Sequence, residues 1–271
     1  MIARIARPLL ALLLMAAAQA LAQAPQTVFL EELTSSEVRD QIRAGRRTII
    51  VPIGGTEQSG PHIVLGKHNV RVKALSEKIA VALGDTLVAP VMAYVPEGGI
   101  NPPTAHMRFA GTITIPDQAF QQVLESSARS FKLHGFRDIV FLGDHGAYQK
   151  DLQAVAARLN KEWASTPTRV HAPPEYYRAA AAGYAEELRK RGYQDAEIGT
   201  HAGLADTSLA LAIDPRQVRR DLLQATPAPG AYRGEGVSGD PRRATAELGK
   251  VGVDAIVTLS VEAIKRAIAR R

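Results

Sequence analysis

The 271-residue chain contains no cysteine. Disulfides are therefore excluded as a source of stability, as are thiolate metal ligands and a lipid anchor attached through cysteine. Any metal site must be assembled from histidine, aspartate and glutamate. Aromatic residues are scarce as well, at 5% with a single tryptophan. The basic clusters, Arg216 with Arg219 and Arg220 and the terminal Arg270-Arg271, have no aromatics interleaved. They read as solvated faces rather than a nucleic-acid surface. Internal repeats, low-complexity tracts and a dividing linker are also missing.

What is present suits a globular protein. With 46% hydrophobic and 22% charged residues the chain can bury a full core. One domain is expected over 23–271, since α/β domains commonly run to roughly 250 residues. Residues 1–22 stand apart. Arg4 and Arg7 precede the apolar run Leu9 to Ala18, and Ala20-Leu21-Ala22 offers small residues at −3 and −1. This is the pattern of a secretory signal peptide cleaved before Gln23. The run is shorter than the ~20 residues of a membrane span, so no stable membrane anchor is expected, and the mature protein is expected to be periplasmic or secreted. Loss of two leader arginines would lower the formal charge from +6 to +4.

The stretch Val51 to His68, VPIGGTEQSGPHIVLGKH, organises the chain. It starts as the end of a buried strand over 47–53, breaks at Gly54-Gly55, and continues as a long polar loop carrying Glu57, Ser59, His62 and His68. In open α/β sheets, ligands bind at loops leaving the C-terminal ends of strands. Downstream, the pattern predicts a helix to Leu83 capped by Asn69, a buried strand over 86–95, and a Gly/Pro-rich loop with His106. A strand-like alternation follows over 111–115. A helix over 117–134 stopped by Gly135, a buried strand over 137–142, the loop Gly143-Asp144-His145-Gly146-Ala147 and a helix over 148–163 come next. An Ala-rich helical stretch over 173–191 carries Tyr176 and Tyr177, read as packing residues, and one helix or a helix pair closes the chain. This order predicts an α/β fold: a mainly parallel central sheet with helices on both faces.

The candidates for chemistry are Glu57, His62, His68, His106, Asp144, His145, His201 and Asp206. Five of the seven histidines lie in loops at strand ends or at a helix start, whereas His134 and His171 fall at a helix end and a connector. Two histidines and a carboxylate with an open position suit catalytic zinc or another divalent ion.

These segments resemble, in order, those of the creatininase (creatinine amidohydrolase) family. VPIGGTEQSGPHIVLGKH is similar to the family's strand and E-Q-H-G-P-H-L-P-L-x-x-D loop, and HMRFAGTITI to its H-x-x-F-x-G-T segment. HGFRDIVFLGDHG resembles its N-G-H-G-G-N or N-G-H-x-E loop, HAGLADTSLALAIDP its H-A-G-x-x-E-T-S segment, and GVSGDPRRATAELG its G-V-x-G-D-P segment. The resemblance implies a creatininase-like sandwich, commonly hexameric and so a homo-oligomer, hydrolysing cyclic amides or related small molecules at a two-metal centre.

The chain departs from that pattern at the metal centre. Glu57 and His145 match family ligands. Ser59 stands where the second-metal histidine belongs, Ala147 where H-x-E members carry a carboxylate, and His68 where the bridging aspartate belongs. A neutral imidazole has one free lone pair and does not bridge two ions. The expectation is therefore a mononuclear site of Glu57, His68 and His145 holding one divalent ion, zinc first and manganese as the alternative. By the same resemblance His201 is the proton carrier or substrate contact, although Thr200 replaces the family's acid before it. His62 and His106 are expected to line the pocket, Asp144 to orient His145, and Asp206 to match the Glu of E-T-S or cap its helix. The competing reading is a catalytically silent periplasmic protein that binds a small molecule or metal.

Overall fold

The computed structural model describes residues 27–225 and 235–270; the leader lies outside them. Thr34 caps α1 (Ser35–Arg43) through a capping box with Glu37, satisfying donors that a helix start leaves free. The chain then enters β1 (Thr48–Ile53), every residue of which is buried. Next come α2 (Lys67–Leu83), β2 (Thr86–Val88), α3 (Asp117–His134) and β3 (Asp138–Gly143). They are followed by α4 (Gln149–Glu162) and β4 (Arg169–His171). The four strands are all parallel, in the order β2-β1-β3-β4.

Alternate strand residues feed opposite faces, as a two-residue side-chain period requires. Ile49, Val51, Ile139 and Phe141 pack with Phe120 and Leu124 of α3 and Leu152 and Val155 of α4. Ile50, Val140 and Leu142 pack on the other face with Val72 and Leu75 of α2. The second face also carries a helical layer from the C-terminal half. The helix α5 (Glu175–Arg178) passes through a π-helical turn (Ala179–Gly183) into α6 (Tyr184–Lys190). There follow α7 (Asp195–Ile198), α8 (Leu204–Ile213), α9 (Arg220–Ala225) and α10 (Ala246–Ala269). Gly249 and Gly252 let α10 lie close on α8 and Tyr184, since a Cβ at Gly249 would run into the Ser208 carbonyl. The predicted parallel sheet with helices on both faces is the observed fold.

Several local expectations need correction. Gly66, not Asn69, precedes α2; the Asn69 carboxamide oxygen instead accepts from the Gly55 N–H at 2.9 Å. The predicted 86–95 strand stops at Val88, because Pro90 lacks the N–H that a ladder needs; past Ala89, whose N–H donates to Ile50, the chain rejoins β1 at the Ile53–Met92 bridge. Residues 111–115 form no strand but make single bonds, from Ile113 N–H to Thr56 and from Ile115 N–H to Val95. The short β4 was not anticipated. Among the described residues no helix is long and apolar enough to cross a membrane.

Candidate metal centre

The C-terminal ends of β1 and β3 lie side by side, Ile53 in register with Gly143. The loops leaving them carry Glu57 and Asp144-His145. Gly55 has φ +147°, and a Cβ there would meet Glu97, so glycine is what lets the chain turn off β1 at this point. Tyr148 joins the two loops. Its buried hydroxyl donates towards the Ile53 and Gly54 carbonyls, at 2.9 and 2.6 Å. It accepts from the N–H groups of Asp144 and His145, at 3.1 and 3.0 Å. Sequence reading gave this tyrosine no role.

Glu57 is the centre of the site and is fully buried. Its Oε1 lies 3.0 Å from His68 Nε2, 3.4 Å from Lys67 Nζ and 3.4 Å from His201 Nδ1. Its Oε2 faces His145 Nε2 at 3.1 Å without a hydrogen bond of acceptable angle. Burial by itself would raise the Glu57 carboxyl, but the Lys67 charge and the flanking His145 and His68 outweigh it and hold the group far below the usual carboxylate range. Glu57 is thus an anion at any ordinary pH. The ligand atoms of Glu57, His68 and His145 all lie within 4.8 Å of one another. The predicted trio therefore converges, and a buried carboxylate oxygen without a partner is what a cation would satisfy. The donor set fits a divalent ion of the zinc type.

The groups behind this trio differ from the expectation. Asp144 orients His68, not His145: its Oδ2 lies 2.6 Å from His68 Nδ1. So short a contact with a carboxylate places the proton on Nδ1 and leaves Nε2 facing Glu57. Asp144 also accepts from Arg71 Nε at 2.8 Å and from the Tyr176 hydroxyl at 2.7 Å. Tyr176 therefore does more than pack, and Tyr177 borders the cavity. Against the cost of burial, the Arg71 charge and the hydrogen bond from His68 keep Asp144 below its ordinary value.

Asp206 sits inside the first turn of α8, where Gly203 precedes the helix. It does not occupy the cap position. Its oxygens accept from Lys67 Nζ at 2.9 Å, Arg71 Nη1 at 2.8 Å and the Ala202 N–H at 3.0 Å. His62 does not line the pocket: it is fully buried and its Nε2 lies 3.0 Å from the Thr207 hydroxyl. His106 stacks on His201 with ring centroids 4.1 Å apart. His201 Nε2 donates to the Gln58 carbonyl at 2.9 Å, leaving Nδ1 to face Glu57. Burial and then the Lys67 charge pull His201 down to about 3, so it is neutral near pH 7. Glu57, His106 and His201 form a second group whose ligand atoms lie within 4.8 Å of one another. Glu57 thus meets two sets of histidines.

Glu97 escaped sequence reading altogether. It is 3% exposed, yet neither carboxylate oxygen has a hydrogen-bond partner, and its Oε2 lies 3.4 Å from His145 Nδ1. Burial and then the Glu57 charge push its carboxyl well above the usual range, so the two acids are driven in opposite directions. Glu97 stands behind His145, whose Nδ1 accepts from the Ala147 N–H at 3.4 Å. A Glu97→Ala variant is expected to bind zinc about 10- to 100-fold more weakly, measured against a competing chelator.

Burial pulls His62 down from 6.5 to about 4. The unfolded chain therefore binds more protons between those values, and stability falls as the pH drops from about 6.5 towards 4. The loss attributable to this ring is on the order of 3 kcal/mol. Urea midpoints at pH 7 and pH 4.5 should differ less for His62→Gln than for the wild type.

A cavity of about 210 Å³ opens beside these groups, lined among others by Glu57, Lys67, His68, His145, Tyr177 and His201. Residues 31–264 match the family model described as creatininase, creatinine amidohydrolase. The chain is 28% identical over 254 residues to the mycofactocin precursor peptide peptidase of Mycobacterium tuberculosis, covering 85% of this chain and 90% of that protein. It is 26% identical over 216 residues to the 3-dehydro-scyllo-inosose hydrolase of Thermotoga maritima, covering 76% and 62%. A crystal structure of creatinine amidohydrolase superposes with a TM-score of 0.73 at 22% identity, over 90% of this chain and 98% of that one. Further creatininase structures of the same fold are described as of Zn-Zn type and as the Mn form.

Proposed function

The chain belongs to the creatininase family, and from that premise we propose that it is a metal-dependent amidohydrolase cleaving a C–N bond in a small cyclic amide or related compound. The observation that carries this reading is the convergence of Glu57, His68 and His145 within 4.8 Å at the edge of the cavity. Bound there, one divalent ion, zinc or manganese, would supply Lewis-acid polarisation of a carbonyl and activation of water at neutral pH.

The chain's own residues do the rest. Asp144 fixes the His68 tautomer, and Glu97 stands behind His145. Tyr148 holds the Glu57 and His145 loops at a constant separation. Neutral His201, facing Glu57 from the cavity wall, is placed to contact the substrate. A cavity of about 210 Å³ is small beside ordinary ligand pockets of roughly 300–1,000 Å³, which favours a compact ring over an extended peptide.

Metal content per subunit, measured by elemental mass spectrometry on protein purified without added metal, tests the reading. About one equivalent followed by turnover in a screen of cyclic amides supports it. No metal even after reconstitution would instead favour the silent binding protein. The specific feature in favour of that second reading is that Lys67, Arg71 and Asp144 already pair with the site's charges within the chain. Export and self-association belong to the proposal too. Periplasmic fractionation with an N-terminus at Gln23, and light scattering that returns a multiple of the chain mass, are the expected results.

A further inference from the structure

Lys67 has no part in the resemblance and none in the ligand trio, yet it is buried in the middle of the site. Its side chain is 2% exposed, with Nζ 2.9 Å from Asp206 Oδ2 and 3.4 Å from Glu57 Oε1. On the same Glu57 oxygen converges the second histidine group. His201 Nδ1 lies 3.4 Å away with its lone pair freed by the Nε2 bond to Gln58. His106, whose Nδ1 is buried without a partner, is stacked against it. By donor chemistry, Glu57, His106 and His201 could hold a cation of their own. Lys67 Nζ already faces the same Glu57 oxygen that His201 Nδ1 faces, each at 3.4 Å. The Asp206 carboxylate, which could offset the added charge, is already divided between Lys67 and Arg71.

We propose that Lys67 is a built-in second cation: its ammonium keeps a metal ion out of the Glu57–His106–His201 group, so that the site takes a single ion. A singly charged group and a divalent ion held within about 4 Å of each other, away from bulk water, repel strongly. Oε2, which faces His145, is the arm of the Glu57 carboxylate opposite the Oε1 that Lys67 faces. The proposal rests on the metal-centre reading above and deepens it.

Zinc titration of metal-stripped protein, with equivalents counted after gel filtration, tests it without reference to activity. The wild type should saturate near one equivalent. Lys67→Met should take two, with second-equivalent affinity raised by a factor on the order of 100 or more. That gain should vanish in Lys67→Met/His201→Ala while the first equivalent remains. Lys67→Arg, which keeps the charge, should stay at one. A Lys67→Met protein that folds, as judged by its thermal melt, and still stops at one equivalent overturns the proposal while leaving the single-metal hydrolase intact. A wild type that takes two equivalents, the second abolished by His201→Ala, overturns it with no Lys67 variant required. A wild type that binds no zinc sinks the reading underneath, not merely this extension of it.

Discussion

Glu57→Gln is expected to remove bound metal almost entirely and to lower turnover of any cyclic amide accepted by the wild type by a factor on the order of 10³ or more. Among the described residues, Glu57 alone of the carboxylates belongs to both histidine groups. The amide keeps the size and one acceptor oxygen but loses the negative charge that gathers Lys67, His68, His145 and His201. Nothing replaces it: Glu97 lies behind His145 and tends to hold its proton, and Asp206 is engaged by two cations. Elemental analysis and turnover should fall together. A variant that retained a full equivalent of metal would show that the ion sits elsewhere. Glu57→Asp keeps the charge on a shorter arm, and should retain part of the metal.

Arg71→Met should produce the largest loss of stability among single substitutions at the site. The guanidinium side chain is 7% exposed and bridges Asp144 and Asp206 through bonds of 2.8 Å each. Deleting one partner of a buried ionic network strands the others, at a cost of about 3–5 kcal/mol. For a chain of this size that is a drop in Tm of roughly 10 °C. The exposed pair Arg216–Asp214 provides the contrast. Arg216 is 90% exposed there, and Arg216→Met should move stability by no more than about 0.5 kcal/mol. Melting curves of the two variants, taken on metal-stripped protein, separate the cases. Equal melting temperatures would mean that the Arg71 network is replaced by water when broken.

The sheet was legible because β1 and β3 are dense apolar runs ended by glycine, and α3 is bounded by Pro116 and Gly135. Short pieces were not. Three residues of β4 carry too little alternation to stand out, and Pro90 cut the second strand earlier than its apolar content suggested. The metal trio was readable from residue type and its place after strands. Its supporting groups were not, since they are set by tertiary contacts. Asp144 precedes His145 in sequence, which suggested that the two act together, but neighbouring side chains point apart and the carboxylate turns to His68. Asn69 has the chemistry of a helix cap, yet the Gly54-Gly55 turn claims its oxygen. Glu97 lies in a Gly/Pro-rich loop with no periodic signal. Only the fold brings it behind His145.

The sheet also constrains how copies of this chain could join. Its two edge strands, β2 and β4, are three residues each, and the outer side of β2 is covered where the Val88 N–H donates to the Val28 carbonyl at 2.8 Å. So short and partly masked a border offers little template for another strand. Subunits would have to meet through helix surfaces and loops, and fibrils seeded by the native edge are disfavoured by the architecture itself.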